Sequence, residues 1–160
     1  MPSKSAGIIA YRKRGELEVL LVHPGGPFWR NKDLGAWSIP KGEYADEDAE
    51  TAARREFAEE LGLELSTPLT SLGQVRQRGG KIVTAFAAEF DVDVRSIRSN
   101  SFEMEWPPRR GKRQTFPEVD RAEWFTLAAA HEKINTGQRP LLERLAQVAG
   151  STPSRRPTPP

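Results

Sequence analysis

The sequence predicts an α/β protein of the α+β type, in which a mixed β-sheet is sandwiched between α-helices. Three observations support this fold class. Short apolar segments bounded by glycine and proline dominate the chain and predict strands. One amphipathic helix interrupts them early, and two helical segments follow near the carboxyl end. Such elements bury their apolar faces when helices cover both sides of one sheet.

The amino-terminal part of the predicted sheet is a hairpin. Residues 6–12 and 19–23 are apolar and β-prone, and Arg14-Gly15 between them predicts the turn. Residues 24–35 are interrupted by Gly25, Gly26 and Pro27, which predicts a loop. Residues 37–39 follow as a short predicted strand that ends at Pro40.

The strongest local pattern predicts a helix over residues 49–61. Asp48 is the expected N-cap and Gly62 the expected helix stop. Ala49, Ala53, Phe57 and Leu61 recur every four residues and form one apolar stripe. This stripe should fix the helix against the sheet and leave its opposite face open.

The remaining segments extend the sheet and then cover it. Residues 69–75 and 82–90 predict an antiparallel pair around Gly79-Gly80, and residues 100–117 are irregular, aromatic and basic. Residues 122–125 predict a strand, and 127–134 and 140–148 predict helices. One domain should therefore span residues 1–149, with 150–160 as a Pro/Ser/Thr/Arg-rich tail that has no core of its own.

Composition excludes several classes of site and partner. The chain has no cysteine and two histidines, which excludes disulfides, thiolate nucleophiles and multi-histidine metal sites. No apolar run approaches the roughly 20 residues of a membrane span, and the amino terminus lacks a signal-peptide pattern. We therefore expect a cytoplasmic protein without a membrane partner; nothing in the sequence indicates an oligomeric state.

Three carboxylates on the predicted helix are the clearest sign of chemistry. Glu56, Glu59 and Glu60 stand at i, i+3 and i+4 and project from one face. Like charges at this spacing repel each other, and a divalent cation is a strong candidate for offsetting the repulsion. Carboxylate oxygens suit a hard ion such as Mg²⁺ or Mn²⁺. The alternative is a solvated helix surface.

The segment around these carboxylates resembles the Nudix box, a family pattern of G, five residues, E, seven residues and R-E-U-x-E-E-x-G-U, with U aliphatic. The matching positions are Gly42, Glu47, Arg55, Glu56, Glu59, Glu60, Gly62 and Leu63. The loop between Gly42 and Glu47 is one residue short, which leaves the role of Glu47 open. Phe57 takes an aliphatic position and stays apolar.

The resemblance extends beyond the box to residues 5–148. Segments similar to Nudix domains are Ser5-Ala6-Gly7, Trp37-Ser38-Ile39-Pro40-Lys41-Gly42, Glu118-Val119 and Trp124-Phe125. It implies the Nudix fold and a metal-dependent hydrolase that cleaves a phosphoanhydride in a nucleoside-diphosphate-linked substrate. Hydrolysis of such a link needs charge neutralised on phosphate oxygens, an aimed water and a base.

The resemblance also implies roles for individual residues. Glu56 and Glu60 are expected to be the principal ligands of Mg²⁺ or Mn²⁺, with Glu59 as a further ligand or as the base, and the Lys41 carbonyl as another ligand. Arg55 is expected to hold Glu59 by a charged hydrogen bond. Some relatives place the base on a later loop, for which the candidates are Glu103, Glu105 and Glu118; we slightly favour Glu59.

Two loops are candidates for recognising a small-molecule nucleotide substrate. Residues 24–37 supply Trp29 and Arg30, and residues 100–117 supply Trp106 and a group of cations. Aromatic rings stack on bases and cations hold polyphosphate, although tryptophans in the core and a solvated basic loop are equally compatible with the pattern. Tyr44 and the Lys41 side chain are further candidates for substrate contact.

The lead-in Pro40-Lys41-Gly42 is similar to that of Nudix enzymes acting on dinucleoside polyphosphates. Such a substrate is the first expectation, with nucleoside triphosphates and nucleotide sugars behind it. A non-catalytic Nudix-fold module that binds nucleotide or RNA is the main alternative, although the three box carboxylates are present. An RNA-end pyrophosphohydrolase would combine enzyme and nucleic-acid binder; nucleic acid is a possible partner but not the favoured one.

Overall fold

A mixed β-sheet forms the centre of the protein. The computed structural model describes residues 3–150, and the strands within them are β1 (Lys4–Arg14), β2 (Glu16–Pro24), β3 (Lys41–Glu43), β4 (Thr70–Arg76), β5 (Ile82–Glu89), β6 (Ser101–Glu105), β7 (Arg113–Pro117) and β8 (Val119–Thr126). The strand order in the sheet is β4-β5-β1-β2-β8, with β3 paired to β1. Strands β1 and β5 run parallel at its middle, whereas the other pairs are antiparallel.

Helices cover both faces of this sheet, as the sequence predicts. Helix α1 (Ala49–Leu61) packs on one face, and α2 (Leu127–Lys133) and α3 (Arg139–Leu145) pack on the other. Alternation along β1 supplies both cores, because Ile8 faces α1 and Ile9 faces α2 and α3. None of these helices is long and apolar enough to span a bilayer.

Helix α1 has the bounds that its sequence predicts. The Asp48 side chain accepts from the Thr51 amide, and Gly62 ends the helix with a φ of 71°. A Cβ at Gly62 would collide with the Arg98 carbonyl, whose own amide donates to Leu61 over 2.9 Å. Phe57 and Leu61 are fully buried. The predicted stripe therefore does face the sheet.

One strand prediction and one prediction of irregular structure are wrong. Residues 37–39 make only isolated bridges, Ser38 with Val22 and Trp37 with Ile134, and the strand in this region is β3. Residues 100–117 are not irregular but form the separate hairpin β6–β7. Alternation of Phe102, Met104 and Trp106 with polar residues, which is typical of a half-buried strand, explains that hairpin.

The remaining boundaries differ by a few residues. Strand β8 begins before the predicted 122, and α3 begins at Arg139 and passes at Ala146 into a π-helical turn over Ala146–Gly150. The predicted tail, residues 150–160, lies outside the described residues apart from Gly150.

Candidate active site

At one edge of the site, two segments of the chain cross in close contact. The backbone of Pro40 and Lys41 passes over β1 at Gly7, where a Cβ would meet the Pro40 carbonyl and, at 2.6 Å, the Lys41 Cβ. The Ile8 amide donates to the Pro40 carbonyl over 3.1 Å. Gly7 thus lets β3 approach β1, and β3 carries Gly42 to the open face of α1.

Gly42 in turn leaves room for the Glu56 carboxylate. A Cβ at Gly42 would lie inside that carboxylate, so the two residues are packed without space between them. Glu56 is 9% exposed. The first glycine and the first helix glutamate of the box therefore form one structural unit.

Arg55 holds two carboxylates directly. Its Nε and Nη2 donate to Glu47 over 2.8 and 2.6 Å, and its Nη1 donates to Glu56 over 2.7 Å. Glu59 lies 3.6 Å from Nη1, beyond hydrogen-bonding distance. The expected Arg55–Glu59 hydrogen bond is thus replaced by bonds to Glu47 and Glu56. Glu47, whose role the shortened loop left open, therefore holds Arg55 in position. The Arg55 guanidinium in turn holds the pKa of Glu47 below its ordinary value.

Burial and mutual repulsion act on the carboxylates beside Arg55. Burial raises the pKa of Glu56, and the charges of Glu59 and Glu118 add to the increase, while Arg55 opposes it. Burial, with the charges of Glu56 and Glu118, raises the pKa of Glu60 to about 8. Lys41, whose own pKa burial lowers, partly offsets this. A compact group of acids is therefore only partly neutralised by two cations, Arg55 beside Glu56 and Lys41 beside Glu60.

These carboxylates suit a divalent cation by their chemistry but do not form a finished cage. No group of three His, Cys, Asp or Glu side chains among residues 3–150 stands close enough to hold a metal ion. Glu56 is bonded to Arg55, and the Glu59 side chain is 42% exposed. The expected convergence of three carboxylates is therefore incomplete. Because a cation would relieve the repulsion among Glu56, Glu60 and Glu118, the donor set fits Mg²⁺ or Mn²⁺ by its chemistry.

Backbone hydrogen bonds bring Glu118 to the same place. The Glu118 amide donates to the Asn100 carbonyl over 2.7 Å, and the Asn100 amide donates to the Glu59 carbonyl over 3.0 Å. Asn100 thus connects the last turn of α1 with the start of β8. A cavity of about 160 Å³ lies at this junction, lined by Val22, Pro24, Ser38, Ile39, Lys41, Glu60, Glu118 and Val119.

The other two candidates for the base lie in the hairpin. Glu103 pairs with Arg113 at 3.3 Å, and Glu105 accepts from the Gly111 amide over 2.7 Å. Both are exposed and share one face of β6, as their alternation predicts. They are engaged in holding the hairpin together, whereas Glu118 lines the cavity.

The two candidate recognition loops meet in an aromatic wall, which we define as Phe28, Phe102, Trp106 and Phe116. Phe28 and Trp106 make an edge-to-face contact with centroids 5.6 Å apart, and Phe102 and Phe116 are 5.9 Å apart. The Gly25 amide donates to the Glu118 carbonyl over 2.9 Å, which joins the loop that carries Phe28 to a residue that lines the cavity. Phe28 remains 63% exposed.

The remaining substrate candidates occupy different surroundings. Trp29 is 40% exposed and Arg30 is exposed, both in the loop that carries Phe28. Tyr44 packs on the core beneath α1, and the Lys4 ammonium lies 5.0 Å from the centre of its ring. Trp37 is 1% exposed and belongs to the core, not to a recognition surface.

Sequence reasoning missed the residues that hold these elements in place. Asn100, and Gln138 with its bonds to Ile39, Ser38 and Gln77, act over separations that no local pattern reveals. Spacing likewise gave no reason to connect His23 with Asp120, 97 residues away. The spacing of the Nudix box did identify Glu47 as a candidate, but it did not identify Arg55 as the partner of Glu47.

The Glu60 carboxyl makes apo-protein stability depend on pH. Because its pKa is raised from 4.5 to about 8 in the fold, the native state binds a proton more tightly than the unfolded chain in that window. The free energy of unfolding should therefore fall as pH rises through the window. Denaturant titrations in a chelator should show a smaller fall for Glu60→Gln than for Glu50→Gln, a change in the first turn of the same helix. Equal slopes would contradict the assignment.

Comparison with known proteins gives a family-level match. The NUDIX domain model matches residues 1–145. No curated protein sequence gives a significant match to the chain.

Solved structures with similar folds cover nearly the whole chain. An Ap4A hydrolase from C. elegans, in a binary complex, is 26% identical over 91% of this chain and 98% of its own, with a TM-score of 0.63. The NUDIX domain of Shewanella oneidensis NrtR, crystallised with ADP ribose, is 18% identical over 92% and 88%, with a TM-score of 0.64. A MutT NUDIX hydrolase from Burkholderia pseudomallei is 22% identical over 91% and 98%, with a TM-score of 0.61. The last two, below 25% identity, show the fold alone.

Proposed function

This chain belongs to the Nudix hydrolase family and is an enzyme of the nucleotide pyrophosphohydrolase type, and we propose that its substrate is a dinucleoside polyphosphate. The observation that carries the proposal is the aromatic wall beside the carboxylate cavity. A dinucleoside polyphosphate has a base at each end of a polyanion, so it needs stacking surfaces near the residues that handle phosphate. The similarity to an Ap4A hydrolase supports the same class.

The catalytic ion in this proposal is Mg²⁺ or Mn²⁺, held by Glu56 and Glu60 with Glu59 and the Lys41 carbonyl as further ligands. When bound, it would neutralise phosphate charge and make water a better nucleophile. Arg55 positions Glu56 through their 2.7 Å bond and is itself braced by Glu47. The partly buried Lys41 ammonium lines the cavity, where it would contact a substrate phosphate.

The general base in this proposal is Glu118, with Glu59 as the alternative. Glu118 lines the cavity together with Glu60 and Lys41, whereas Glu59 is not among the residues that line it and its side chain is 42% exposed. A base must reach the water that attacks phosphorus, and the cavity is where that water has room. Its place at the start of β8 and its tie to Asn100 fix the backbone from which it acts.

The assignment of the base predicts different kinetics for two variants. Glu118→Gln should lower kcat about 10²–10³-fold, within the usual contribution of a general base, with little change in KM. Glu59→Gln is the comparison and should cost about 10–100-fold if Glu59 only supports the metal site. The reverse order of effects would assign the base to Glu59.

A substrate panel tests the proposed class. With Mg²⁺, the wild type should hydrolyse dinucleoside polyphosphates with a higher kcat/KM than nucleoside triphosphates or nucleotide sugars. Phe28→Ala should raise KM for the preferred substrate about tenfold, the loss of one stacking contact. Leu34→Ala removes a side chain that is 70% exposed in the same loop and should leave KM unchanged. Preference for a triphosphate or nucleotide sugar would contradict the proposal.

The hairpin tip favours a second candidate substrate, the triphosphate end of RNA. Arg109, Arg110 and Lys112 are exposed there, and none forms an ion pair within residues 3–150. Such cations would follow an RNA backbone beyond the first nucleotide, and binding would weaken steeply with salt. A triphosphorylated oligonucleotide hydrolysed faster than any dinucleotide, with a loss in Arg110→Glu, would favour RNA. Equal rates in that variant would exclude it.

A further inference from the structure

A fully buried histidine lies beneath the loop that carries Phe28. His23 is the penultimate residue of β2 and is 0% exposed. Its Nδ1 lies 2.8 Å from the Asp120 Oδ1, and its Nε2 lies 2.7 Å from the Lys32 carbonyl oxygen. The Trp37 ring packs against it edge-on at 5.1 Å. One imidazole thus connects the loop with β8.

The partners of this ring decide its protonation. A backbone carbonyl has no proton to give, so Nε2 must donate to Lys32. An ionised carboxylate also only accepts, so Nδ1 must donate to Asp120. Both bonds form together only when the ring carries two protons and a positive charge. Neutral His23 would turn an Nδ1 lone pair towards the Asp120 carboxylate.

The bond to Lys32 fixes the substrate loop close to its exposed aromatic residues. The Lys32 amide donates to the Trp29 carbonyl over 3.0 Å, so His23 holds the turn that contains Trp29 and Arg30. The loop is tied at its start by Gly25 to Glu118 and at its end by Gly35 to Glu132. Between these two ends the loop is attached by His23 at Lys32 and by the Asp33 carboxylate, which accepts from Trp37 and Lys133. Asp120, its other partner, lies two residues beyond Glu118.

We propose that His23, as a doubly protonated imidazolium clamped between Asp120 and the Lys32 carbonyl, is a positioning residue that holds loop 25–35 in the form that binds substrate. The assignment of substrate binding to this loop rests on the proposed function. The clamp itself rests on burial and on the two acceptors.

Charged groups around the clamp come from three elements. On β8, Asp120 accepts from His23 and lies 4.0 Å from the Arg121 guanidinium, which stacks 5.0 Å from the centre of the Trp37 ring. In the loop, Asp33 accepts from Trp37 Nε1 and from Lys133 on α2. Because Asp33 is paired with Lys133, Asp120 is the carboxylate that contacts the His23 ring.

Two variants separate the charge of the clamp from its hydrogen bonds. His23→Gln removes the ring that donates to both Asp120 and the Lys32 carbonyl. Asp120→Asn keeps a partner at Nδ1, because its amide can donate to a neutral ring, and so removes the need for the second proton. His131→Gln changes the other histidine, which is exposed, and serves as the control.

The first test reads the protonation directly. In ¹⁵N spectra of the His131→Gln protein, both His23 ring nitrogens should carry protons at neutral pH, and in His131→Gln/Asp120→Asn only Nε2 should. Trypsin then reports on the loop: cleavage after Arg30 and Lys32 should be faster in His23→Gln than in His131→Gln or Asp120→Asn. A singly protonated His23 in the first protein, or unchanged cleavage, would overturn the clamp.

The second test is kinetic. His23→Gln should raise KM about tenfold with kcat within about threefold, the loss expected for a charged hydrogen bond that positions a binding loop. Asp120→Asn keeps a hydrogen-bond partner at both ring nitrogens, so its KM should stay close to the wild-type value. Equal losses of kcat and kcat/KM in His23→Gln, or a KM in Asp120→Asn as high as that of His23→Gln, would overturn the positioning role. If no nucleotide is hydrolysed at all, the proposed function fails, while spectra and proteolysis still judge the clamp.

Discussion

Replacing Glu60 with glutamine is expected to lower metal-dependent turnover about 10³-fold, the size of loss seen when one electrostatic stabiliser of a transition state is removed. Glu60 lines the cavity with Lys41 and Glu118, and burial together with the charges of the nearby acids raises its pKa to about 8. That increase means that the site holds negative charge at a cost, which a divalent ion would offset. The amide keeps the shape of the side chain and removes the charge.

The fold should tolerate this change, which makes the result interpretable. Without its charge, position 60 no longer repels Glu56 and Glu118, so the variant should unfold at or above the wild-type denaturant concentration at alkaline pH. Calorimetric titration with Mg²⁺ should show weakened uptake in Glu60→Gln and wild-type uptake in Glu50→Gln. Normal turnover in the first variant would remove Glu60 from the metal site.

Helix α1 could be predicted from sequence because its signals are local. Asp48 and Gly62 mark its ends within one turn, and the spacing of Phe57 and Leu61 sets its buried face. The same spacing places Glu56 and Glu60 on the open face. The family resemblance then gave those carboxylates a reaction class, which the NUDIX match over residues 1–145 supports.

The β6–β7 hairpin shows why other elements were harder to predict. Its basic turn, which contains Pro107, Pro108 and Gly111, resembles a loop in composition, and this outweighed the alternation of Phe102 and Met104. The hairpin pairs only with itself and packs against residues near Gly26. Its place therefore depends on contacts across more than 70 positions of sequence, which no local window contains.

The partners of Arg55 illustrate the same limit at the site. Helical spacing favours Glu59, four residues on, and the structure brings Arg55 within 3.6 Å of it. Glu47 lies in the irregular segment before the helix, yet it takes the bidentate position. The path of that segment decides the pairing, because a bidentate arginine–carboxylate contact is stronger than an i, i+4 surface pair.

Gly42→Ala is expected to lower kcat/KM about 10²-fold, the loss that follows a displacement of roughly 1 Å in a catalytic group. A Cβ at position 42 would fall inside the Glu56 carboxylate, so Glu56 must move. Arg55 bonds that carboxylate and would be pulled from its place between Glu47 and Glu56. We also expect a loss of about 1–3 kcal/mol in unfolding free energy from overpacking.

The cause of this loss is space and not backbone strain, and two further variants separate these explanations. Gly42 does not adopt a positive φ, whereas Gly15 at the β1–β2 turn has a φ of 78° and open space around its Cα. Gly15→Ala should therefore lose stability through strain but keep wild-type kcat/KM. Gly42→Ala/Glu56→Asp shortens the displaced side chain and should recover the stability lost by Gly42→Ala, though not the activity. If the double variant is no more stable than Gly42→Ala, then Gly42 is not needed to leave space for the Glu56 carboxylate.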